Sequence, residues 1–157
     1  MYTSSQFKEA CYLFNSIAGK GHLISKKDIK FQLDLIKSEL QECYDALEAD
    51  DLVGILDGYA DVLVTTYGLG QKLDYLNCNT EEACKAVAAN NLSKFISEPS
   101  VLERNQVKYK LPEYTIAYNN RFGRWVIKNS NDKVMKPVDF VSVDLTPYVP
   151  KNAKMED

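Results

Sequence analysis

The sequence is poor in the residues that build zinc sites, disulfide frameworks and nucleophilic triads. Its 157 residues include one histidine and four cysteines. The cysteines form no CxxC pair, so a zinc-binding spacing cannot be assembled with a single histidine. Cys11 and Cys43 fall on apolar faces of predicted helices, and we expect both to be free thiols in a reducing compartment.

A surplus of positive charge and long apolar runs are also missing. There are 19 basic and 22 acidic residues, giving a formal net charge of −3. Proteins that coat nucleic acid need clustered basic residues, and a winged-helix module needs a basic recognition helix, so we expect no nucleic-acid partner. No uninterrupted apolar run approaches the ~18 residues of a membrane span, and the N-terminus lacks a signal-peptide core. The sequence therefore predicts a cytoplasmic protein with no membrane partner.

Helical periodicity dominates the first two-thirds of the chain. Apolar residues recur with a period near 3.6 in four segments, which predict helices over about 5–18, 27–49, 51–69 and 80–95. Residues 19–21 should end the first helix, Asp50 and Asp51 should break the second and cap the third, and Gly68 and Gly70 should close the third.

The composition then changes to short strand-like runs separated by Asn- and Gly-rich turns. These runs predict an antiparallel meander with strands at 114–118, 124–128 and 133–135. The predicted fold is mainly α, with four to five helices and a small C-terminal β meander. Its predicted parts are a helical catalytic domain over 1–110, a meander appendage over 111–146 and a flexible tail over 147–157.

Four carboxylates stand out on the second and third predicted helices. Glu39 and Glu42, spaced i, i+3, point the same way from the packing edge of the second helix. Asp57 and Asp61, spaced i, i+4, lie on one face of the third. On the second helix alone, a solvated acidic edge would be the commoner fate of such glutamates.

The third helix favours a functional role for these acids. Residues 52–70 contain no Lys, Arg or Glu, and a helix so apolar is typically buried nearly all round. Its polar strip carries the two aspartates beside Gly54 and Gly58, each of which costs about 1 kcal/mol of helix propensity relative to alanine. Aspartates without a nearby cationic side chain favour a bound cation, and oxygen ligands suit Mg²⁺, with Mn²⁺ as a substitute. We therefore predict a metal site of Glu39, Glu42, Asp57 and Asp61.

The same segments carry a resemblance to a known family. The stretches LIKSELQE and ILDGYADVL resemble the two acidic motifs of the MazG-like all-α nucleoside triphosphate pyrophosphohydrolases, in particular their phage-type members. Glu39 and Glu42 match the second and third acids of the family's EExxE motif, and Asp61 matches the last acid of its second motif. Ser38 replaces the first glutamate of EExxE.

The second motif departs from its usual ExxD form at one position. Gly58 stands where the family's glutamate would be, and Asp57 is the expected substitute.

Two further segments extend the resemblance. NNLSK at 90–94 is similar to the family's SNxSK segment, and DKVMKP at 132–137 resembles its GKVLKP stretch. The resemblance implies that the nucleotide contacts Asn91, Lys94, Lys133 and Lys136. Alternatively, Asn91 and Lys94 are a helix-end asparagine and a solvated lysine without a role in binding. Lys133 and Lys136 would then only keep an edge strand soluble.

The resemblance implies a helical bundle of the all-α nucleoside triphosphate pyrophosphatase type. It also implies Mg²⁺-dependent hydrolysis of a ribo- or deoxyribonucleoside triphosphate to the monophosphate and pyrophosphate, with Glu39 or Glu42 as base. Phosphoribosyl-ATP pyrophosphohydrolysis and a catalytically inactive nucleotide- or metal-binding adaptor are the alternatives. Because the third helix is more apolar than its neighbours can cover, we also expect a homodimer or homotetramer.

Overall fold

The computed structural model describes residues 4–18, 24–153 and 155. Within them lie five α-helices: α1 Ser4–Ile17, α2 Lys26–Glu48, α3 Leu52–Tyr75, α4 Thr80–Leu92 and α5 Pro99–Lys108. Two antiparallel strands follow, β1 Tyr114–Asn119 and β2 Arg124–Asn129, and then a 3-10 turn, Thr146–Tyr148. The prediction of a mainly α fold with a small C-terminal antiparallel sheet is confirmed. The residues at 19–21, predicted to end the first helix, lie outside the described ranges.

The chain divides into two compact units. Unit 1 comprises Met1–Thr80 and Pro147–Asp157, and unit 2 comprises Glu81–Thr146. The predicted division at residues 110 and 146 stays a prediction, because compactness alone does not show which segments fold independently.

In unit 1, α2 and α3 form a helical hairpin whose ends are capped by side chains. Ser25 and Asp28 form a reciprocal capping box at the start of α2. Asp51 caps α3 by accepting hydrogen bonds from the backbone N–H groups of Val53 and Gly54 at 3.0 Å. The predicted break at Asp50 and Asp51 is confirmed, with Asp50 at a positive φ of 53° in the turn.

The predicted end of the third helix was wrong. α3 continues through Gly68 and Gly70 to Tyr75. Gly68 is buried against Gln32 of α2. A larger residue would not fit at this position, because a Cβ there would lie 2.7 Å from Nε2 of Gln32. This glycine serves helix packing, which local propensity alone cannot distinguish from helix termination.

In unit 2 the last strand of the predicted meander was also wrong. The sheet has two strands, and the run at 133–135 contributes only a single bridge between Val134 and Lys128. α4 ends at Leu92, a few residues earlier than predicted. In unit 1, the backbone N–H of Asn79 donates to the carbonyl of Tyr148 at 2.8 Å, and the flexibility predicted for the tail over 147–157 stays a prediction.

The two units differ in what they bury. Unit 2 has a core of Ile96, Tyr109 and Ile127, and the Ile127 side chain is fully buried. In unit 1 the buried positions include polar Gln32, Gln71 and Lys72. The prediction that α3 is buried nearly all round is wrong for the single chain. Leu52, Val53 and Leu56 are 76%, 78% and 66% exposed.

Candidate functional site

Glycines on α3 set the distance between the two helices that carry the predicted metal ligands. A Cβ at Gly58 would lie 2.6 Å from Sγ of Cys43, and a Cβ at Gly54 would lie 2.9 Å from Cβ of Ala46. Real Cβ atoms do not approach other atoms so closely, so larger residues here would push α2 and α3 apart. The two glycines predicted to allow a close approach therefore face α2.

A polar contact fixes the same hairpin further along. The side-chain amide of Gln32, at the start of α2, donates to the carbonyl of Thr65 at 2.9 Å. The contacts of Gln32, Cys43 and Ala46 with α3 run in antiparallel order. This register brings Glu39 level with Asp61, and Glu42 level with Asp57.

The electrostatics agree with that register. The pKa of Glu39 is raised above its ordinary value, first by burial and then by the negative charges of Glu42, Asp61 and Asp57. Glu39 and Asp61 are half-buried, whereas Glu42 and Asp57 are exposed. Glu42, Asp61 and Asp57 thus lie close enough to disfavour the charged form of Glu39, and among the described residues no cationic side chain offsets their effect.

These acids do not form a ready-made metal cage. Among the described residues, no group of three His, Cys, Asp or Glu side chains is arranged to hold a metal ion. The donor chemistry nonetheless fits Mg²⁺, because this ion usually keeps several waters and binds through one or two carboxylates plus substrate phosphates. Glu39 with Asp61, and Glu42 with Asp57, are the pairs that could serve.

The other predicted nucleotide-binding residues lie in unit 2. Lys94, Lys133 and Lys136 line one cleft of about 490 Å³. Asn91 is not among the lining residues, but its side-chain oxygen accepts a 2.7 Å hydrogen bond from Nζ of Lys94. The structure therefore brings three of these four residues together.

Lys108, the last residue of α5, lines the same cleft and was missed by the sequence analysis. It belongs to no motif, and α5 had not been placed. Pro99 could have indicated the start of α5, because it occupies the first turn of that helix and proline is common there.

The exposed surface of α3 has a second property. The helix is 24 residues long and apolar enough to cross a membrane by length and composition, and only 11% of its most apolar 18-residue window is buried within the chain. Core helices of soluble proteins share this length and composition. Asp57 and Asp61 lie within the apolar part, where each would cost about 2.5–3.5 kcal/mol at the centre of a membrane.

Comparison with known proteins gives little functional information. No protein-family model matches the chain, and no solved structure matches it. A stretch of 43 residues is 46% identical to an uncharacterized protein of Acanthamoeba polyphaga mimivirus. The match covers 27% of this chain and 17% of the viral protein, well below two-thirds of either. Membership of the MazG-like family therefore stays a prediction.

Proposed function

We propose that the protein hydrolyses a ribo- or deoxyribonucleoside triphosphate to the monophosphate and pyrophosphate with the help of Mg²⁺. One observation carries the proposal. Glu39 is half-buried beside a glycine-mediated helix contact, and its pKa is raised first by burial and then by three other carboxylates, with no cationic side chain among the described residues to offset them. A bound divalent cation would relieve this repulsion and attract a triphosphate to an acidic surface.

The four acidic residues of the hairpin would have two roles, metal binding and orientation of the attacking water. Asp57 and Asp61 on α3, with Glu39 and Glu42 on α2, would hold the ion. When bound, Mg²⁺ supplies charge neutralisation of the phosphates and activation of a water molecule. Glu39 or Glu42 would orient that water or accept its proton, so catalysis rests on positioning and needs no protein nucleophile.

We also propose that two or four copies of the chain associate through unit 1. The hairpin exposes large apolar side chains, whose members on α2 and α3 include Leu40, Tyr44, Leu47, Leu52, Val53, Leu56 and Tyr59. A patch of this kind normally marks an interaction surface. The aspartates of α3 favour a protein partner over lipid, which agrees with the cytoplasmic location expected from the sequence. A monomer by light scattering at micromolar concentration would contradict this part.

One finding favours the inactive adaptor as a second candidate. The hairpin exposes a large apolar surface, as expected for a protein that acts by binding another protein. The two candidates differ in whether nucleotide is consumed.

The test is a product analysis with a panel of ribo- and deoxyribonucleoside triphosphates and phosphoribosyl-ATP, in Mg²⁺ and in EDTA. We expect Mg²⁺-dependent release of pyrophosphate, reduced about 100-fold or more in Asp61→Asn, since several kcal/mol of charge stabilisation would be lost. Asp45→Asn is the matched control, because Asp45 is an exposed acid of α2 that bonds to Gln41 and does not perturb Glu39. Metal binding without turnover of any compound would favour the adaptor.

A further inference from the structure

The cleft in unit 2 concentrates positive charge that nothing in its walls neutralises. It is lined by Lys94, which follows α4, Lys108, which ends α5, and Lys133 and Lys136, which follow β2. Its lining contains no Asp or Glu. Within the described parts of the chain, none of these four ammonium groups forms an ion pair.

Other cations of unit 2 show that carboxylate partners are available in this unit. Lys128 pairs with Asp132 at 2.8 Å, and Arg104 pairs with Asp139 at 3.0 Å. Lys85 pairs with Glu81 at 2.7 Å. The lack of partners is therefore a local property of the cleft, even though the whole chain is acidic.

Hydrogen bonds from buried residues hold the backbone that carries two of the lysines. The hydroxyl of buried Tyr109 donates to the carbonyl of Lys136 at 2.6 Å. The side-chain oxygen of Asn105, which is fully buried, accepts from the backbone N–H of Val138 at 2.9 Å. On the other side, the backbone N–H of Met135 donates to the carbonyl of Ile127 at 2.8 Å. The backbone of this wall is therefore held in place by hydrogen bonds within the protein itself.

Three of the lysine ammonium groups also contact neutral groups of the protein, which position them without cancelling their charge. Nζ of Lys108 lies 4.9 Å from the ring centroid of Tyr109, and Nζ of Lys136 lies 5.0 Å from that of Phe140. Nζ of Lys94 donates to the neutral side chain of Asn91. Aromatic faces and amide oxygens attract an ammonium group but leave its full charge available to an anion.

Four like charges around one concave surface repel one another and focus a positive potential into the cleft. We propose that this cleft is a binding site for a compact polyphosphate, either inorganic pyrophosphate or the phosphate chain of a nucleotide, held by Lys94, Lys108, Lys133 and Lys136 without a metal ion. A polyphosphate has enough charge and oxygen atoms to meet several ammonium groups at once. The inference rests on unit 2 alone and holds whether or not unit 1 hydrolyses nucleotides.

The test is a calorimetric titration of pyrophosphate, and separately of a nucleoside triphosphate, into the full chain in EDTA. We expect binding that weakens as salt is raised, because exposed charges are screened. Lys108→Gln and Lys136→Gln should each weaken it about tenfold, the size expected for one charge-assisted hydrogen bond. Lys110→Gln is the matched control, since Lys110 is an exposed lysine two residues from Lys108 that does not line the cleft. Thermal unfolding of each variant checks that the fold is kept.

The outcomes separate the two polyphosphate sources and the two units. If Lys108→Gln weakens the binding of both ligands, the proposal is supported with the phosphate chain of a nucleotide as the ligand. If it weakens the binding of pyrophosphate alone, the proposal is supported with the free anion as the ligand. Binding that Lys108→Gln leaves unchanged overturns it, as does binding that requires Mg²⁺ and is lost in Asp61→Asn. No binding of either ligand in EDTA overturns it as well, whatever the turnover measured for unit 1.

Discussion

The two units of this chain differ in charge and in how they use apolar side chains. Unit 1 has fourteen acidic and nine basic residues, whereas unit 2 has eight acidic and ten basic residues. Unit 2 has an apolar core around Ile127, although Leu111 and Val141 of the same unit are exposed. Unit 1 places Gln32 and Gln71 inside and exposes Leu52 and Leu56 on its helical hairpin.

The contact between α2 and α3 is built from a close backbone approach and a side-chain amide, while large apolar side chains of both helices remain exposed. Glycines bring α3 close to α2, and Gln32 bridges the two helices. Near the end of α3, Asp74 accepts hydrogen bonds from the hydroxyls of Tyr12 and Thr80 at 2.6 and 2.5 Å. Polar contacts therefore contribute to the interior of unit 1 alongside the buried apolar residues Cys11 and Ile24.

The largest effect should come from the core of unit 2. Ile127→Ala removes a fully buried side chain and should lower the free energy of unfolding by about 2–5 kcal/mol, through lost burial and the cavity left behind. Urea denaturation followed by the fluorescence of Trp125, which pairs across the sheet in the same unit, measures it.

A matched truncation in unit 1 sharpens this contrast. Leu56→Ala should change stability by less than about 0.5 kcal/mol in dilute solution, because Leu56 is exposed in the single chain. Its effect should grow with protein concentration if this face joins copies of the chain. Equal losses for Ile127→Ala and Leu56→Ala in dilute solution would contradict the difference between the units.

An intermediate effect should come from the glycine contact. Gly58→Ala places a Cβ 2.6 Å from Sγ of Cys43 and should lower stability by about 1–3 kcal/mol, as overpacking typically does. Gly70→Ala is the control, since its Cβ would meet only the hydroxyl of Tyr12 at an ordinary 3.5 Å. That substitution should stabilise α3 by up to about 1 kcal/mol. Thermal or chemical unfolding compares the two.

The cause of the Gly58 effect can be isolated. Adding Cys43→Ala to the Gly58→Ala variant removes the clashing sulfur and should recover most of the loss. A Gly58→Ala protein as stable as Gly70→Ala would show that α2 and α3 do not depend on this close approach.

The smallest effect concerns pH. The raised pKa of Glu39 means that, above the ordinary value of 4.5, the folded state binds more protons than the unfolded chain. Stability should therefore fall as pH rises through the interval between 4.5 and the raised value, and the loss should persist above it. Glu39→Gln should remove this part of the pH dependence and be more stable than the wild type at neutral pH in EDTA.

Urea denaturation at several pH values in EDTA measures this difference, with exposed Glu103 of α5 changed to glutamine as the control. An identical pH profile for the wild type and Glu39→Gln would mean that neither burial nor the neighbouring carboxylates raise the pKa of Glu39 in the fold.

The sequence predicted the parts of the hairpin that local rules govern. The cap at Asp51 follows from the preference for short polar side chains at helix starts, and helical spacing put Asp57 and Asp61 on one face. The register that places Glu39 level with Asp61 could not be predicted in this way, because it depends on tertiary contacts such as that between Gly58 and Cys43.

Sequence patterns do not reveal the structure where buried positions are polar or where glycine serves packing. α5 was not placed because its buried residue is Asn105, so hydrophobic periodicity is weak there, and Lys108 was missed with it. Gly68 is predicted from local propensity to end α3, but in the structure it lies inside the helix and accommodates Gln32. The apolar residues of α3 are expected to face inward, but Gly54 and Gly58 lie against α2, and Leu52, Val53 and Leu56 are exposed in the single chain.

The most direct test of the account is a calorimetric titration of Mg²⁺, and of Mn²⁺ as its substitute, into the wild type, Asp61→Asn and Asp45→Asn. The account predicts saturable binding to the wild type and Asp45→Asn, and binding at least about tenfold weaker in Asp61→Asn because one charged ligand is lost. Equal affinities for all three proteins, or no binding to the wild type even with a nucleoside triphosphate present, would contradict a metal-dependent site on this hairpin.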